Sequence, residues 1–129
     1  LMKYALLIYS PVTADEYGTS LDAQRMATET RGPWVDYTRA AREAGALVAA
    51  EQLTHSETAT SVRAQGQDVL VIDGPFMETK EHLLGFYLID AEDLDTAIDW
   101  ARRMPLNEGM TIEVRASASG LPWQRVLSQ

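Results

Sequence analysis

The sequence contains no cysteine among its 129 residues. This absence excludes disulfide bonds, thiolate nucleophiles and cysteine-ligated metal sites together. Basic residues are also scarce, with 11 lysines and arginines against 19 aspartates and glutamates, so the formal net charge is −8. Because such a surface repels phosphate backbones and anionic lipids, we expect neither a nucleic-acid partner nor a membrane partner.

Long apolar segments are missing as well. The apolar run from Tyr4 to Tyr9 is too short for the centre of a signal peptide, and no small-residue cleavage site follows it. We therefore expect a cytoplasmic protein. Apolar residues make up 46% of the chain and charged residues 23%, as in an ordinary globular domain, and the length suits a single domain.

Apolar periodicity predicts the order strand, helix, strand, hairpin, strand, helix, strand. The strands are predicted at 4–9, 46–53, 60–65, 69–72, 86–91 and 111–115, and the helices at 21–44 and 92–104. Proline removes a backbone donor, so we expect the first helix to break or kink at Gly32 and Pro33. Without the hairpin the order is βαββαβ, which predicts an α+β, ferredoxin-like fold with both helices on one face of the sheet. This domain is predicted to span 2–116, followed by a C-terminal tail at 117–129.

The predicted strands at 60–65 and 111–115 alternate, but those at 4–9, 46–53, 69–72 and 86–91 are apolar at nearly every position. Such runs are typical of strands that are buried on both faces. The two helices can cover only one face of the sheet, so something else must cover the other. A second copy of the chain, packed sheet against sheet, would do so, and we therefore predict a homodimer.

The densest group of ionisable residues begins directly after the strand at 69–72, with Asp73-Gly74-Pro75-Phe76. A carboxylate at the end of an apolar strand can be desolvated, which raises its pKa and suits it to general acid or base catalysis. The alternative is structural, because an aspartate before glycine and proline commonly caps a turn. The residues alone leave both interpretations open.

The same segment carries a family resemblance. Asp73-Gly74-Pro75-Phe76, together with Glu-Thr-Lys-Glu at 78–81 and Gly-Phe-Tyr-Leu-Ile at 85–89, resembles the DGPF-motif proteins of the YCII-related family, and the likeness extends from Lys3 to Arg115. It implies that the sheet of one monomer pairs with that of a partner to form a dimeric α+β barrel. Some members are encoded near sigma factors of the extracytoplasmic-function type, and one relative is a dehydrochlorinase.

The resemblance also implies a site. Related proteins carry a His–Asp pair in a pocket, proposed as acid–base machinery, and Asp73 matches its aspartate. Trp34 stands where the histidine is expected, and an indole cannot move protons as an imidazole does. Asp73 is therefore the single catalytic candidate. The predicted pocket residues are Trp34, Tyr37, Gly74, Pro75, Phe76 and Tyr87.

The remaining polar candidates predict little chemistry. His55 and His82 are interpreted as ordinary exposed histidines. Glu78 and His82 lie four residues apart, but two ligands without a third do not make a metal site, so we expect neither a metal nor a cofactor. Arg63 and Arg115 could bind an anion, although ion pairs at the surface are the favoured interpretation.

Two functions remain open on the sequence. The first is a small homodimeric protein that binds a small-molecule ligand or serves as an accessory protein, with a link to regulation. It is favoured because the dyad lacks its histidine and no other catalytic group is complete. The second is an acid–base enzyme, lyase- or isomerase-like, that acts on a small aromatic or lactone-type substrate through Asp73.

Overall fold

A computed structural model describes residues 1–19, 21–118, 122–127 and 129, with the backbone alone described at 18–19, 21–31 and 122–124. Two short turns interrupt the loops, a π-helical turn at Asp15–Thr19 and a 3-10 turn at Ser56–Thr58. The strands and helices are β1 (Met2–Ser10), α1 (Leu21–Glu43), β2 (Leu47–Gln52), β3 (Thr60–Gln65), β4 (Asp68–Asp73), β5 (His82–Ala91), α2 (Leu94–Arg102), β6 (Thr111–Ala116) and α3 (Pro122–Leu127).

Four of the strands form one antiparallel sheet in the order β2-β5-β1-β6. Once β3 and β4 are set aside, the chain order is βαββαβ and the first and third strands lie at the centre of the sheet. This is the ferredoxin-like arrangement. The α+β fold class predicted from the sequence is confirmed.

The central strands alternate in burial. In β1, Tyr4, Leu6 and Ile8 are buried on the face that the helices cover, whereas Ala5 and Leu7 between them are partly exposed. Successive side chains of a strand point to opposite faces, so the sheet has a covered face and an open face. The open face carries Ala5, Leu7, Phe86 and Leu88, which the strand register places side by side.

The core lies between the covered face and one side of each helix. Leu6 and Ile89 are completely buried there. Tyr37 of α1 meets Trp100 of α2 edge-on, with ring centroids 6.0 Å apart, and its hydroxyl donates a hydrogen bond to the Trp100 carbonyl at 2.7 Å. This bond ties the two helices together within the apolar layer. Burial raises the pKa of Tyr37 far above its ordinary value, and the neighbouring Tyr87 adds to the effect.

The predicted break in the first helix is wrong, because α1 runs through Gly32 and Pro33 as one helix, whereas the predicted kink stays a prediction. A proline inside a helix removes one hydrogen bond. Directly after it, Trp34, Tyr37 and Ala41 follow one another at spacings of three and four and pack against the core. This packing holds the second half of the helix on the sheet and outweighs the hydrogen bond that is lost at Pro33.

The second helix is shorter than its predicted span of 92–104. The Asp93 carboxylate accepts a hydrogen bond from the Thr96 amide at 2.8 Å and caps the helix, which also lowers the pKa of Asp93. The predicted tail at 117–129 contains α3. None of the helices in the described part of the chain combines the length and the apolar composition needed to cross a membrane.

The predicted hairpin is a separate two-stranded sheet formed by β3 and β4. The pairing runs from Thr60 opposite Asp73 to Gln65 opposite Asp68, and Gly66 in the turn has a φ of +60°. Both faces of this hairpin are open to solvent. Its valines are among the most exposed apolar side chains of the described chain, with Val62 at 68% and Val71 at 71%.

Candidate functional site

A cavity of about 720 Å³ opens at the end of the sheet where β1 finishes and β5 begins. Its floor is apolar and comes from the covered face of the sheet and from α1. The strand residues face the cavity because they lie on the same side of the pleat, where the register pairs Leu6 with Tyr87 and Tyr87 with Ala50. The floor consists of Ile8, Trp34, Ala50, Tyr87 and Met110.

Three aromatic rings give this floor a fixed shape. The indole of Trp34 stacks on the ring of Tyr87, with centroids 6.2 Å apart and planes inclined by 23°. Tyr37 lies behind them and presents its edge to both, at 6.0 Å from Trp34 and 5.4 Å from Tyr87. Offset and edge-on arrangements are the favoured geometries of aromatic pairs. Trp34 and Tyr87 are therefore held as a surface on which a flat ligand can lie.

A short chain of hydrogen bonds fixes Tyr87. The Thr38 hydroxyl lies 2.7 Å from the carbonyl of Trp34 and 2.6 Å from the hydroxyl of Tyr87. A carbonyl can only accept, so Thr38 donates to Trp34 and Tyr87 donates to Thr38. The phenol is thereby anchored to α1 at its hydroxyl end.

The mouth of the cavity is formed by the segment after β1. The Thr13 hydroxyl accepts from the Glu16 amide at 3.3 Å, and the Glu16 carboxylate accepts from the Thr13 amide at 3.4 Å. This reciprocal pair is a capping box. Tyr17 donates to the carbonyl of Leu53 and accepts from the Gln52 side chain at 3.1 Å, which ties the turn to the end of β2.

Gly85 forms part of the cavity wall, where β5 and β2 approach closely. A Cβ atom at this position would lie 2.6 Å from the Glu51 carbonyl oxygen and 3.3 Å from the Cα of Gln52. Both atoms belong to the main chain of β2, so only glycine permits this strand spacing.

A second polar cluster lies beside the mouth, and here the predicted exposure of the histidines is wrong. His55 is only 3% exposed, its Nδ1 accepts from the Glu57 amide at 3.2 Å, and its Nε2 donates to the Val12 carbonyl at 3.0 Å. His82 is half-buried, 4.4 Å from His55 between ring centroids, and its Nδ1 lies 2.5 Å from the Ser56 hydroxyl. His55 is buried because the turn at 53–58, although largely exposed itself, directs this ring against the loop that follows β1.

Comparison with known proteins identifies the family of this chain. The profile of the YCII-related domain matches residues 2–117. The chain belongs to the YCII-related family. A relative from Rhizobium meliloti (strain 1021) is 37% identical over 101 residues, which is 78% of each chain, and is described only as an uncharacterized protein.

The structure of this YCII-related protein divides the predicted site residues into two groups. Trp34 and Tyr87 line the cavity, and Tyr37 packs directly behind them. Asp73, Gly74, Pro75 and Phe76 lie instead at the base of the hairpin and are not among the described residues of the cavity lining. The predicted roles of all these residues stay predictions.

The main chain of Gly74 fixes the conformation of the hairpin base. Gly74 adopts a φ of +98°, its amide donates to the Ala59 carbonyl at 2.6 Å, and its own carbonyl accepts from the Ser61 hydroxyl at 2.7 Å. Asp73 is exposed, and its carboxylate makes no hydrogen bond to the described residues. Phe76 is 77% exposed. The turn thus depends on Gly74, whose left-handed conformation other residues rarely adopt.

Sequence reasoning missed several residues that line the cavity of this YCII-related domain. Tyr17 and Met110 come from segments between the strands and helices, and Ser10 ends β1 one position beyond the predicted strand. One signal was present, since Thr13 and Glu16 have the spacing of a capping box and mark a rigid turn. In the described part of the chain no three histidine, aspartate or glutamate side chains come close enough to hold a metal ion.

Proposed function

We propose that this YCII-related protein is a homodimeric binding protein for a small organic ligand, and that the cavity beside Trp34 is the binding site. The observation that carries the proposal is the cavity itself. A volume of about 720 Å³ and a predominantly apolar floor are typical of small-molecule sites. The stacked rings of Trp34 and Tyr87 are already fixed by packing and hydrogen bonds, so a ligand would not have to order them.

Binding is favoured over catalysis by the chemistry of the floor. At the position where the resemblance predicts a histidine, Trp34 presents an indole, which can pack or donate one hydrogen bond but cannot shuttle a proton. The titratable side chains of the lining lie outside the floor or are hydrogen-bonded tyrosines. Glu16 and Glu108 lie at the mouth, the Glu51 side chain points to the open face of the sheet, and Tyr17 and Tyr87 are hydrogen-bonded. The floor therefore offers contact area for recognition without an evident acid or base.

Dimer formation is supported by the amount of surface that one chain leaves open. The chain exposes 9525 Å². A compact monomer of 14.3 kDa would expose about 6,800 Å². The excess is larger than the roughly 800 Å² per partner that a standard stable interface buries. The open face of the sheet and the valine face of the hairpin supply the apolar surface for a second copy.

Ligand binding is tested by calorimetric titration with indole, a neutral flat probe. We expect saturable binding to the wild-type protein that is weakened at least about tenfold in Trp34→Ala, because the stacking surface is lost. Ala50→Phe, which fills the cavity from β2 and leaves Trp34 in place, should weaken binding similarly. Leu94→Ser, at an exposed position of α2 outside the described lining, is the control and should bind as the wild type does. No saturable binding, or equal binding by all four proteins, would overturn the proposal.

The dimer is tested by sedimentation equilibrium. We expect twice the monomer mass of 14.3 kDa for the wild-type protein. The double variant Val62→Lys, Val71→Lys should dissociate, because it places charges on the apolar face that the second copy would cover. A wild-type protein that remains monomeric at micromolar concentration contradicts the dimer.

One observation keeps the acid–base enzyme as a second candidate. In the hairpin, Val69, Val71 and Asp73 alternate along β4 and therefore share a face. A second copy that covers this face would also desolvate the Asp73 carboxylate, which raises the pKa of a buried acid. Carboxyl NMR titration of the dimer, with Asp73→Asn to assign the signal, tests this alternative. An ordinary Asp73 pKa in the dimer rules it out.

A further inference from the structure

The mouth of the cavity differs in charge from its floor. Glu16, from the turn after β1, and Glu108, from the loop before β6, both line the cavity and are exposed. Among the described lining residues there is no lysine and no arginine. Exposed carboxylates are ionised at neutral pH. A ligand that enters therefore passes two negative charges.

Glu51 also belongs to the lining, but its side chain does not add to this charge. Its neighbour Ala50 pairs with Tyr87 on the covered face, so strand alternation directs the Glu51 side chain to the open face. Its main chain reaches the wall beside Gly85. The acidic mouth is thus formed by Glu16 and Glu108 alone among the described residues.

Glu16 is held in place rather than free to turn away. The capping box fixes one carboxylate oxygen on the Thr13 amide. A carboxylate accepts up to about four hydrogen bonds, so this contact leaves capacity for a ligand. The position of the charge is therefore set by the backbone of the turn.

The neutral polar groups of the mouth also favour donors on the ligand. The Gln52 amide nitrogen is committed to the Tyr17 hydroxyl, and that hydroxyl donates its own proton to the Leu53 carbonyl. The Gln52 carbonyl oxygen remains as an acceptor. Ser10 and Asn107 also belong to the lining and can donate as well as accept. An organic ammonium group carries the donors that match the acceptors of Gln52 and of the two glutamates.

We propose that the ligand is an organic cation, a flat apolar body with an ammonium group, whose body lies on Trp34 and Tyr87 and whose charge faces Glu16 and Glu108. The inference rests on the proposed binding function and adds the ligand class to it. Aromatic faces also attract cations, so the floor and the mouth favour the same charge. The net charge of −8 raises the local concentration of cations at the cavity.

The inference is tested with three probes that share the indole ring: tryptamine, indole and indole-3-acetate. Calorimetric titration should give the tightest binding for the cation tryptamine, about tenfold tighter than for neutral indole, and the weakest for the anion. The preference for tryptamine should shrink as salt is added, because the two glutamates are exposed.

Matched variants assign the preference to the mouth. Glu16→Gln retains the capping box, since glutamine serves in the same motif. Together with Glu108→Gln it should reduce the preference for tryptamine over indole to less than about threefold. Glu78→Gln removes the same charge from the loop after the hairpin and should leave the preference unchanged.

The outcomes separate this inference from the proposed function. Equal binding of the three probes, or tightest binding of indole-3-acetate, overturns the cation and leaves the cavity as a ligand site. If Glu78→Gln loses as much of the preference for tryptamine as the double variant Glu16→Gln, Glu108→Gln does, the cation inference is also overturned. Failure of all three probes to bind overturns both the cation and the binding function.

Discussion

The central strands of the four-stranded sheet and β4 of the β3–β4 hairpin are similarly apolar, yet the burial of the sheet and of the hairpin is opposite. Leu6 and Ile89 in the sheet are fully buried, whereas Val62 and Val71 in the hairpin are more than two-thirds exposed. The helices cover one face of the sheet, and no such layer covers the hairpin. An isolated two-stranded hairpin is marginally stable in water. An apolar strand therefore indicates that its surface has to be covered by other residues. It does not indicate whether those residues belong to the same chain or to a second copy.

The largest expected effect comes from truncating one side chain in each region. Leu6→Ala should lower the free energy of unfolding by about 3–5 kcal/mol, because it leaves a cavity in a fully packed layer. Val71→Ala should change the monomer by less than about 0.5 kcal/mol, because its side chain is exposed. Urea denaturation at a concentration where the protein is monomeric measures both. Similar losses in the two variants would mean that the hairpin packs within its own chain.

The next effect compares a glycine in each region. Gly85→Ala should cost about 1–3 kcal/mol, since the new Cβ meets the main chain of β2 and forces the strands apart. Gly66→Ala has open space around it but a φ of +60°, so it should cost only about 1 kcal/mol of local strain. Thermal unfolding gives the order, and amide exchange in β2 should accelerate only for Gly85→Ala. The reverse order would contradict the close approach of the strands.

A smaller effect concerns the bond between the helices. Tyr37→Phe should cost about 1–2 kcal/mol, because the Trp100 carbonyl loses its buried donor. Burial raises the pKa of Tyr37, so the folded protein keeps the proton at a pH where the unfolded chain loses it. Stability should therefore fall as the pH rises above about 10, and less steeply in Tyr37→Phe. Identical alkaline slopes, measured by denaturation in a pH series, would show that Tyr37 does not contribute.

The smallest expected effect is a difference in amide exchange between the hairpin and the sheet, and it needs no mutation. Amide hydrogens of β3 and β4 should exchange rapidly in dilute protein and about tenfold more slowly once a second copy covers the hairpin. Those of β1 and β5 should keep their protection at both concentrations, since both are central strands with hydrogen-bonded neighbours on either side within one chain. Exchange followed by NMR over a dilution series measures this. Hairpin protection that does not depend on concentration would count against the dimer.

Much of the fold could be predicted because its signals are local. The apolar run around Leu6 gives β1, and an alternating segment before Gly66 with an apolar run after it gives the hairpin with nearly its observed bounds. Pro33 misled because its effect on a helix is also local, whereas the contacts of Trp34 that keep α1 in place come from distant strands. His55 misled for the same reason, since its partner Val12 lies 43 residues away.

The candidate site could be predicted only in part. The sequence analysis placed Trp34 and Tyr87 in one pocket, and the structure stacks their rings in the cavity, although their role there stays a prediction. Asp73 was grouped with them through the resemblance, and the structure places it on the hairpin instead. Tyr17 and Met110 were absent from the predicted pocket, because a loop or turn has no periodicity that reveals which way its side chains face.

The sequence by itself determined the α+β order of the elements, the acidic net charge and the family of this protein, because periodicity, composition and motif spacing are properties of the chain. Only the tertiary structure decided which aromatic rings meet in a cavity, that Glu16 and Glu108 share its mouth, and that the hairpin is left uncovered. Those features depend on contacts between residues far apart in the chain. Such contacts form only when whole layers pack, which no local pattern encodes.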